Sequence, residues 1–270
     1  VLIDDRPGKR LELLAHFPCV YFSPDDLYMV KRGSGLRRKF LDSLLSRIDP
    51  AYGKHLAKYE DTVARRNVVL KKAFMSVAWD KTLQGLDEIL ISAGATVLNC
   101  RLALMSTFSR QVAETYSFIA GDQCIVRYSS SMGDLPGSPE EMAPFFRERL
   151  SQMKVQERDR GVTLIGPHRD DIAITFGDKT VRYFGSQGEQ RSVALALRMA
   201  EALALEETFG RKPALLLDDV FSELDESRRQ KVLSLCDFGH QILLTSTDPM
   251  TIARDKVNMY AVNEDSVKPV

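Results

Sequence analysis

The pattern of hydrophobic and polar positions changes period several times along the 270 residues, and each change marks an element. Pro18 to Phe22 reads as a short strand. Ser23-Pro24-Asp25-Asp26 then predicts a helical turn, with Ser23 as cap, Pro24 at the first position and two carboxylates at the positive end of the helix. Phe40, Leu41, Leu44, Leu45 and Ile48 form an apolar stripe at helical spacing. From Ala51, Tyr52, Leu56, Tyr59, Val63, Leu70 and Val77 recur by fours and threes, as in a coiled-coil seam, with Arg66 and Ala73 as interruptions. Leu83, Leu86, Leu90, Ala93, Val97, Leu104, Phe108 and Val112 make a second such run. Trp79 to Gly85 is the expected turn of an antiparallel helical hairpin, and Gly94 weakens its second helix without forbidding it.

The second half alternates strand and helix signals. Gln123 to Ser130 predicts a strand, Met132 to Ser138 a loop, and Pro139 to Arg158 an amphipathic helix capped by Ser138 with Glu141 as box partner. Val162 to Ile165 reads as a buried strand broken by Gly166-Pro167-His168-Arg169. Ile172, Ile174 and Phe176 alternate, Gly177-Asp178 turns, and Val181 to Phe184 returns, which predicts a β-hairpin. Ala214 to Leu217 is an unbroken apolar run after Pro213, the signature of a strand buried on both faces. Glu226 to Cys236 is expected to be helical, Gln241 to Thr245 a strand, and Asn258 to Val262 a terminal strand.

Two stretches carry candidate chemistry. Asp218 and Asp219 follow directly on the Ala214–Leu217 run. The carboxyl ends of parallel strands are where open α/β sheets bind ligands. Adjacent carboxylates there are costly unless a cation compensates, and a magnesium ion carrying a nucleoside triphosphate is the usual one. The plainer alternative is a polar loop in which one of them caps the next helix. The other stretch is Tyr183-Phe184-Gly185-Ser186-Gln187-Gly188-Glu189-Gln190-Arg191-Ser192, a small-residue loop feeding an Ala/Leu-rich helix. Free N–H groups at such a start attract phosphate. Ser186 and Glu189 also have the spacing of a capping box, which suits either role.

Composition narrows the partners. Basic and acidic residues balance at 37 each, so any nucleic-acid contact must come from a local patch. Lys31, Arg32, Arg37, Arg38 and Lys39 are the densest basic cluster, a candidate phosphate contact or a solvated face. Cys19, Cys100, Cys124 and Cys236 lack pair spacing and read as reduced structural thiols. No stretch reads as a membrane span or signal peptide. His168 admits two roles, a hydrogen-bonded loop histidine or a group near nucleotide or DNA.

Together the motifs carry a resemblance. Ser186 to Arg191 is similar to the ABC-type signature, Leu215 to Asp219 to its Walker B strand, and Ser222-Glu223-Leu224-Asp225 to its D-loop. Gly166-Pro167-His168-Arg169-Asp170-Asp171 and Phe22-Ser23-Pro24-Asp25-Asp26-Leu27 narrow it to the RecF family of bacterial DNA replication and repair proteins, within the SMC-like ATPases. The short hairpin agrees with that family. No G-x-x-x-x-G-K-[ST] phosphate loop occurs, the Gly-Lys pairs being Gly8-Lys9 and Gly53-Lys54, so the expectation is a fragment inactive by itself. Apolar sheet surface is expected to be exposed in it.

The resemblance implies an α/β fold: an incomplete ABC-type ATPase head, a mixed sheet with flanking helices, plus a helical hairpin lobe. The expected division is residues 1–35 in an N-terminal ATPase lobe, 36–160 in the helical lobe and 161–270 in the lobe with the signature. It implies ATP and Mg²⁺ as cofactors, Asp218 on the metal and Asp219 on the attacking water. Ser186, Gln187, Gly188, Glu189 and Gln190 would meet the nucleotide held by a second subunit, and Ser222 and Asp225 would meet across the dimer axis. Thr247 is the candidate switch position, where many relatives of the wider group carry histidine. Single-stranded and gapped DNA, RecO and RecR are the implied partners, with RecA loading as the outcome. The setting is cytoplasmic DNA damage repair and the SOS response. Another ABC-type ATPase subunit and a non-catalytic interaction module are the alternatives.

Overall fold

The structure is a computed structural model that describes residues 2–3, 6–7, 17–72, 77–221, 224–234, 241–247, 257–263 and 266–269. Strands β1 (Leu2–Ile3) and β2 (Arg6–Pro7) form a small antiparallel pair. β3 (Cys19–Phe22) leads into a 3₁₀ turn over Pro24–Asp26 and helix α1 (Leu27–Lys31). Three long helices follow: α2 (Ser34–Ile48), α3 (Pro50–Lys72) and α4 (Val77–Ala120). β4 (Ile125–Ser129), α5 (Pro139–Arg160), β5 (Asp171–Phe176), β6 (Lys179–Thr180) and α6 (Val181–Phe184) come next. α7 (Gln187–Phe209), β7 (Ala214–Leu217), α8 (Glu226–Ser234), β8 (Ile242–Leu244) and the hairpin β9 (Tyr260–Asn263) and β10 (Ser266–Pro269) complete the order.

Two sheets position the candidate chemistry. β3, β7 and β8 form a parallel sheet with β7 central, pairing Phe22 with Leu217 and Leu217 with Leu244. β4, β5 and β6 form an antiparallel one, with Val126 opposite Ile174. Val20, Phe22, Leu215 and Leu217 are buried, and α7 packs against β3. The alternate residues in register, Tyr21, Leu216 and Leu243, face the other way, and Tyr21 and Leu243 are 50% and 55% exposed. The mixed α/β architecture with a helical hairpin lobe is as expected, and so is apolar exposure on this sheet.

Helix α4 is the spine of the core. Leu90, Val97, Leu98, Phe108, Val112, Tyr116 and Ile119 are fully buried on it against α3, α5 and α7. The buried seam also passes through Gly94, where a Cβ would lie 2.5 Å from Phe146 and 2.9 Å from Tyr59. At Gly94 α3 and α5 therefore approach the spine too closely for a side chain, a packing reason that outweighs its poor helix propensity. Contrary to the expectation that no stretch reads as a membrane span, this helix is long and apolar enough to cross one, an 18-residue window within Lys81–Ala120 reaching mean hydropathy 1.5. Its packing on three helices is that of a core element.

Several local expectations are corrected. Trp79 to Gly85 lies inside α4 and is not the turn of the hairpin. Val162 to Ile165 is not a strand: the N–H of Thr163 donates to Asn67 Oδ1 at 2.7 Å and that of Leu164 to Glu157 Oε1 at 2.8 Å. Helix side chains satisfy these donors, so no neighbouring strand is needed. Val181 to Phe184 is a helical turn, since only Lys179 and Thr180 pair back onto β5. Arg66, an apparent gap in the seam, is buried and bonded to Asp87, Glu157 and Thr163.

Candidate nucleotide-clamp site

β7 delivers the acidic pair to the carboxyl end of a parallel sheet. The Asp218 N–H donates to Phe22 O, and the Thr245 N–H to Leu217 O, so the exits of β3, β7 and β8 lie side by side. Asp218 Oδ1 accepts from Thr245 Oγ1 at 2.6 Å and Oδ2 from Tyr21 Oη at 3.2 Å. Among the described residues no cation pairs with the Asp218 carboxylate. Desolvation, then the bond to Asp218, raises the Tyr21 phenol, so it stays a donor.

Asp219 has φ +46°, the one positive φ outside glycine among the described residues. Non-glycine residues avoid this region, Asp less than most, and such strain gathers at functional turns. It is held from both sides. Its N–H donates to Thr245 Oγ1 at 3.1 Å, and its carbonyl accepts from Arg191 of α7. Arg191 is buried, lies 5.9 Å from the Phe22 ring and 3.9 Å from the Asp219 carboxylate.

The start of α7 has the local chemistry its sequence announces. Ser186 Oγ accepts from the Glu189 N–H at 3.3 Å, and Glu189 Oε2 accepts from the Ser186 N–H at 2.7 Å. Ser186 and Gln187 are exposed, while Gly188 and Glu189 are half-buried. Gln190 differs from the rest of its set: it is buried, and Nε2 donates to the carbonyls of Val181 and Arg182 at 3.1 and 3.2 Å. Its amide holds α6 and is not offered to a ligand.

The other candidates fall out as follows. Asp225 caps α8, its Oδ1 accepting from the Arg228 N–H at 2.9 Å, and its side chain is 58% exposed. Ser222 lies outside the described residues. Thr247 is exposed on a bend past β8, whereas Thr245 reaches Asp218. The missed residue was findable: register Leu217–Leu244 puts Thr245 level with Asp218.

Arg37 is buried, binding Asp171 at 2.7 and 2.8 Å and the carbonyls of Met29 and Arg32, which gives it a structural role instead of a phosphate contact. Arg38 is tied to Ser34 Oγ and to Asp170 O. Lys31 is half-buried, and Arg32 is exposed, stacked over Tyr28. His168 takes the plainer role: Nδ1 faces Tyr59 Oη at 2.7 Å and Nε2 faces Thr163 O at 3.2 Å. Burial, then the nearby cations Arg169, Arg38 and Arg66, lowers its pKa to about 4. It is neutral, with Nε2–H donating to the carbonyl.

The donor set fits a magnesium nucleotide. Magnesium takes one or two carboxylates and keeps several waters, and a half-buried Asp218 without a cation partner among the described residues suits that. No three His, Cys, Asp or Glu side chains converge among the described residues, so an all-protein metal cage is not what is built.

Comparison with known proteins shows the family and the fold. The DNA replication and repair protein RecF of Halothermothrix orenii is 36% identical over 272 residues, spanning 98% of this chain and 71% of its own length. The chain belongs to the RecF family. RecF proteins of Herpetosiphon aurantiacus and Moorella thermoacetica are each 37% identical, and the chain spans 62% and 65% of their lengths. Two solved structures, described as the recombination mediator protein RecF-ATPrS and RecF-ATP in the RecFOR pathway, superpose with TM-scores of 0.82 and 0.81 at 29% identity. They match over 98% and 96% of this chain and 71% and 69% of theirs. No family model matches. Membership makes this a RecF-like DNA replication and repair protein of an ABC-type ATPase family.

Proposed function

We propose that the chain forms part of an ATP-dependent dimeric clamp on single-stranded and gapped DNA. The observation that carries this is the bond from Arg191 to the Asp219 carbonyl, which makes the signature-like helix start and the acidic strand exit one unit. ATP and Mg²⁺, when bound, would supply a triphosphate and the positive charge that offsets it. Asp218 would hold the metal, directly or through water, while Asp219 would orient the attacking water. Asp is one methylene shorter than the usual Glu at that place, so hydrolysis is slow. Ser186 and the N–H groups of Gly188 and Glu189, with Gln187 beside them, meet the γ-phosphate held by a second copy. Asp225 would meet the second copy across the dimer axis. ATP then acts by differential affinity for the closed dimer, and hydrolysis releases it.

Relatives described within the RecFOR pathway support RecO and RecR as partners. RecA loading in the cytoplasm is part of the same proposal. The test is Asp219→Asn in the product of the complete reading frame. ATP turnover is expected to fall to background while ATP-dependent self-association by light scattering persists. Loss of both together contradicts the assignment.

A further inference from the structure

The exposed surface beside the signature-like loop carries rings and cations in alternation. Tyr183 and Phe184 of α6 are 71% and 65% exposed, the highest values for aromatic rings among the described residues. Each has a cation near its ring: the Arg182 guanidinium 5.0 Å from the Tyr183 centroid, and Lys179 Nζ 5.9 Å from that of Phe184. A third pair adjoins them. The Arg32 guanidinium lies 4.0 Å from the Tyr28 ring, and Arg182 Nε donates to Lys31 O at 3.1 Å, fixing α1 beside α6. Asp178, and Asp25 and Asp26 beside Tyr28, are the acidic sequence neighbours of this group. Burying such rings in a core would leave the cations unsolvated, and none is buried.

We propose that Tyr28, Arg32, Lys179, Arg182, Tyr183 and Phe184 form a platform for single-stranded nucleic acid. Exposed rings stack on unpaired bases whatever their sequence, and interleaved cations neutralise the phosphates between them. A chain with no net charge gains strand affinity only through such a patch. The platform takes over the role expected of the basic cluster, of which Arg37 and Arg38 are committed to internal partners.

The platform is also welded to the signature-like helix. Gly185 closes α6 with its N–H on Val181 O, and a Cβ at Gly185 would lie 2.8 Å from that oxygen. Gln190 of α7 holds the carbonyls of Val181 and Arg182, the first two residues of α6. A strand bound on α6 therefore bears directly on the position of Ser186. This deepens, and rests on, the DNA-clamp reading above.

The experiment is fluorescence anisotropy of the complete gene product with a labelled single-stranded oligonucleotide and with a blunt duplex. Tyr183→Ala and Phe184→Ala, both at exposed sites, are each expected to weaken single-strand binding about tenfold and to leave duplex binding within about twofold. Lys179→Gln combined with Arg182→Gln is expected to lower the slope of log affinity against log salt by about 1.4. Unchanged single-strand affinity, or equal losses on both substrates, overturns the platform. Loss of ATP-dependent self-association with DNA affinity intact assigns the surface to a second copy and also overturns it. An unaltered protein that binds neither substrate overturns the DNA-clamp reading as well.

Discussion

Charge is handled in opposite ways at the parallel-sheet exit and in the helical lobe. In the lobe, Arg101 is buried and its guanidinium is fully bonded: to Asp42 at 2.8, 2.9 and 3.0 Å, to the Pro167 carbonyl at 2.7 Å and to Tyr128 at 3.1 Å. Arg66 is treated likewise by Asp87, Glu157 and Thr163. At the sheet exit, Asp218 meets only two hydroxyls among the described residues, from Thr245 and Tyr21. One region neutralises its own charge, and the other leaves a carboxylate open. A closed network specifies packing, whereas an open carboxylate next to a strained turn is what a ligand completes.

The largest expected effect lies in the closed network. Arg101→Met keeps much of the volume but leaves Asp42 without its cation and Pro167 O without its donor. The expected loss is about 3–5 kcal/mol in urea denaturation, the range for removing one partner of a buried pair. Arg101→Lys should recover only part of it, because an ammonium cannot make the bidentate contact. A loss under about 1 kcal/mol for Arg101→Met would show that the lobe does not depend on this network.

The same contrast explains what the sequence disclosed. β7 was legible because an unbroken apolar run ends at two acids, and the capping box because Ser186 and Glu189 stand three apart. Both signals are local. Arg66 read as a gap because its three partners are 21, 91 and 97 residues away, beyond any window of periodicity. Val162 to Ile165 read as a strand because apolar content says nothing about which groups accept its N–H bonds. Trp79 to Gly85 read as a turn because a glycine that costs a helix about 1 kcal/mol is overruled by packing along a 44-residue spine. Thr245 was passed over for Thr247 because the reading followed sequence order at the strand end instead of the register with β7.

A second prediction sets the lobe against pH. His168 is neutral in the fold, with its pKa lowered to about 4 by burial, against 6.5 when unfolded. The unfolded chain therefore takes up the proton first, so this contribution is complete above pH 6.5 and is lost as pH falls toward 4. It amounts to at most about 3.5 kcal/mol. Glu157 and Asp87 act with the opposite sign, since desolvation raises their pKa values despite Arg66. Comparing the native chain with His168→Gln isolates the histidine. The difference in their thermal midpoints should shrink from pH 7 to pH 4.5, and a constant difference would refute the assigned neutral state.

The smallest expected effect is at Asp218 itself. In Asp218→Asn, one side-chain oxygen can still accept from Thr245 or from Tyr21, and the hydroxyl left over can turn to accept from the new amide. No ion pair among the described residues is broken, and a like-charge neighbour of Asp219 is removed. Stability should therefore change by less than about 0.5 kcal/mol, as for an ordinary surface substitution. The shift in thermal midpoint that magnesium and ATP together produce in the complete gene product should vanish with the same substitution, because the ligand stabilises only the state it binds. A loss of stability on the scale of Arg101→Met would make Asp218 a closed structural acid like Asp42. The sheet exit would then differ from the helical lobe in position only, and the metal assignment would fall with that difference.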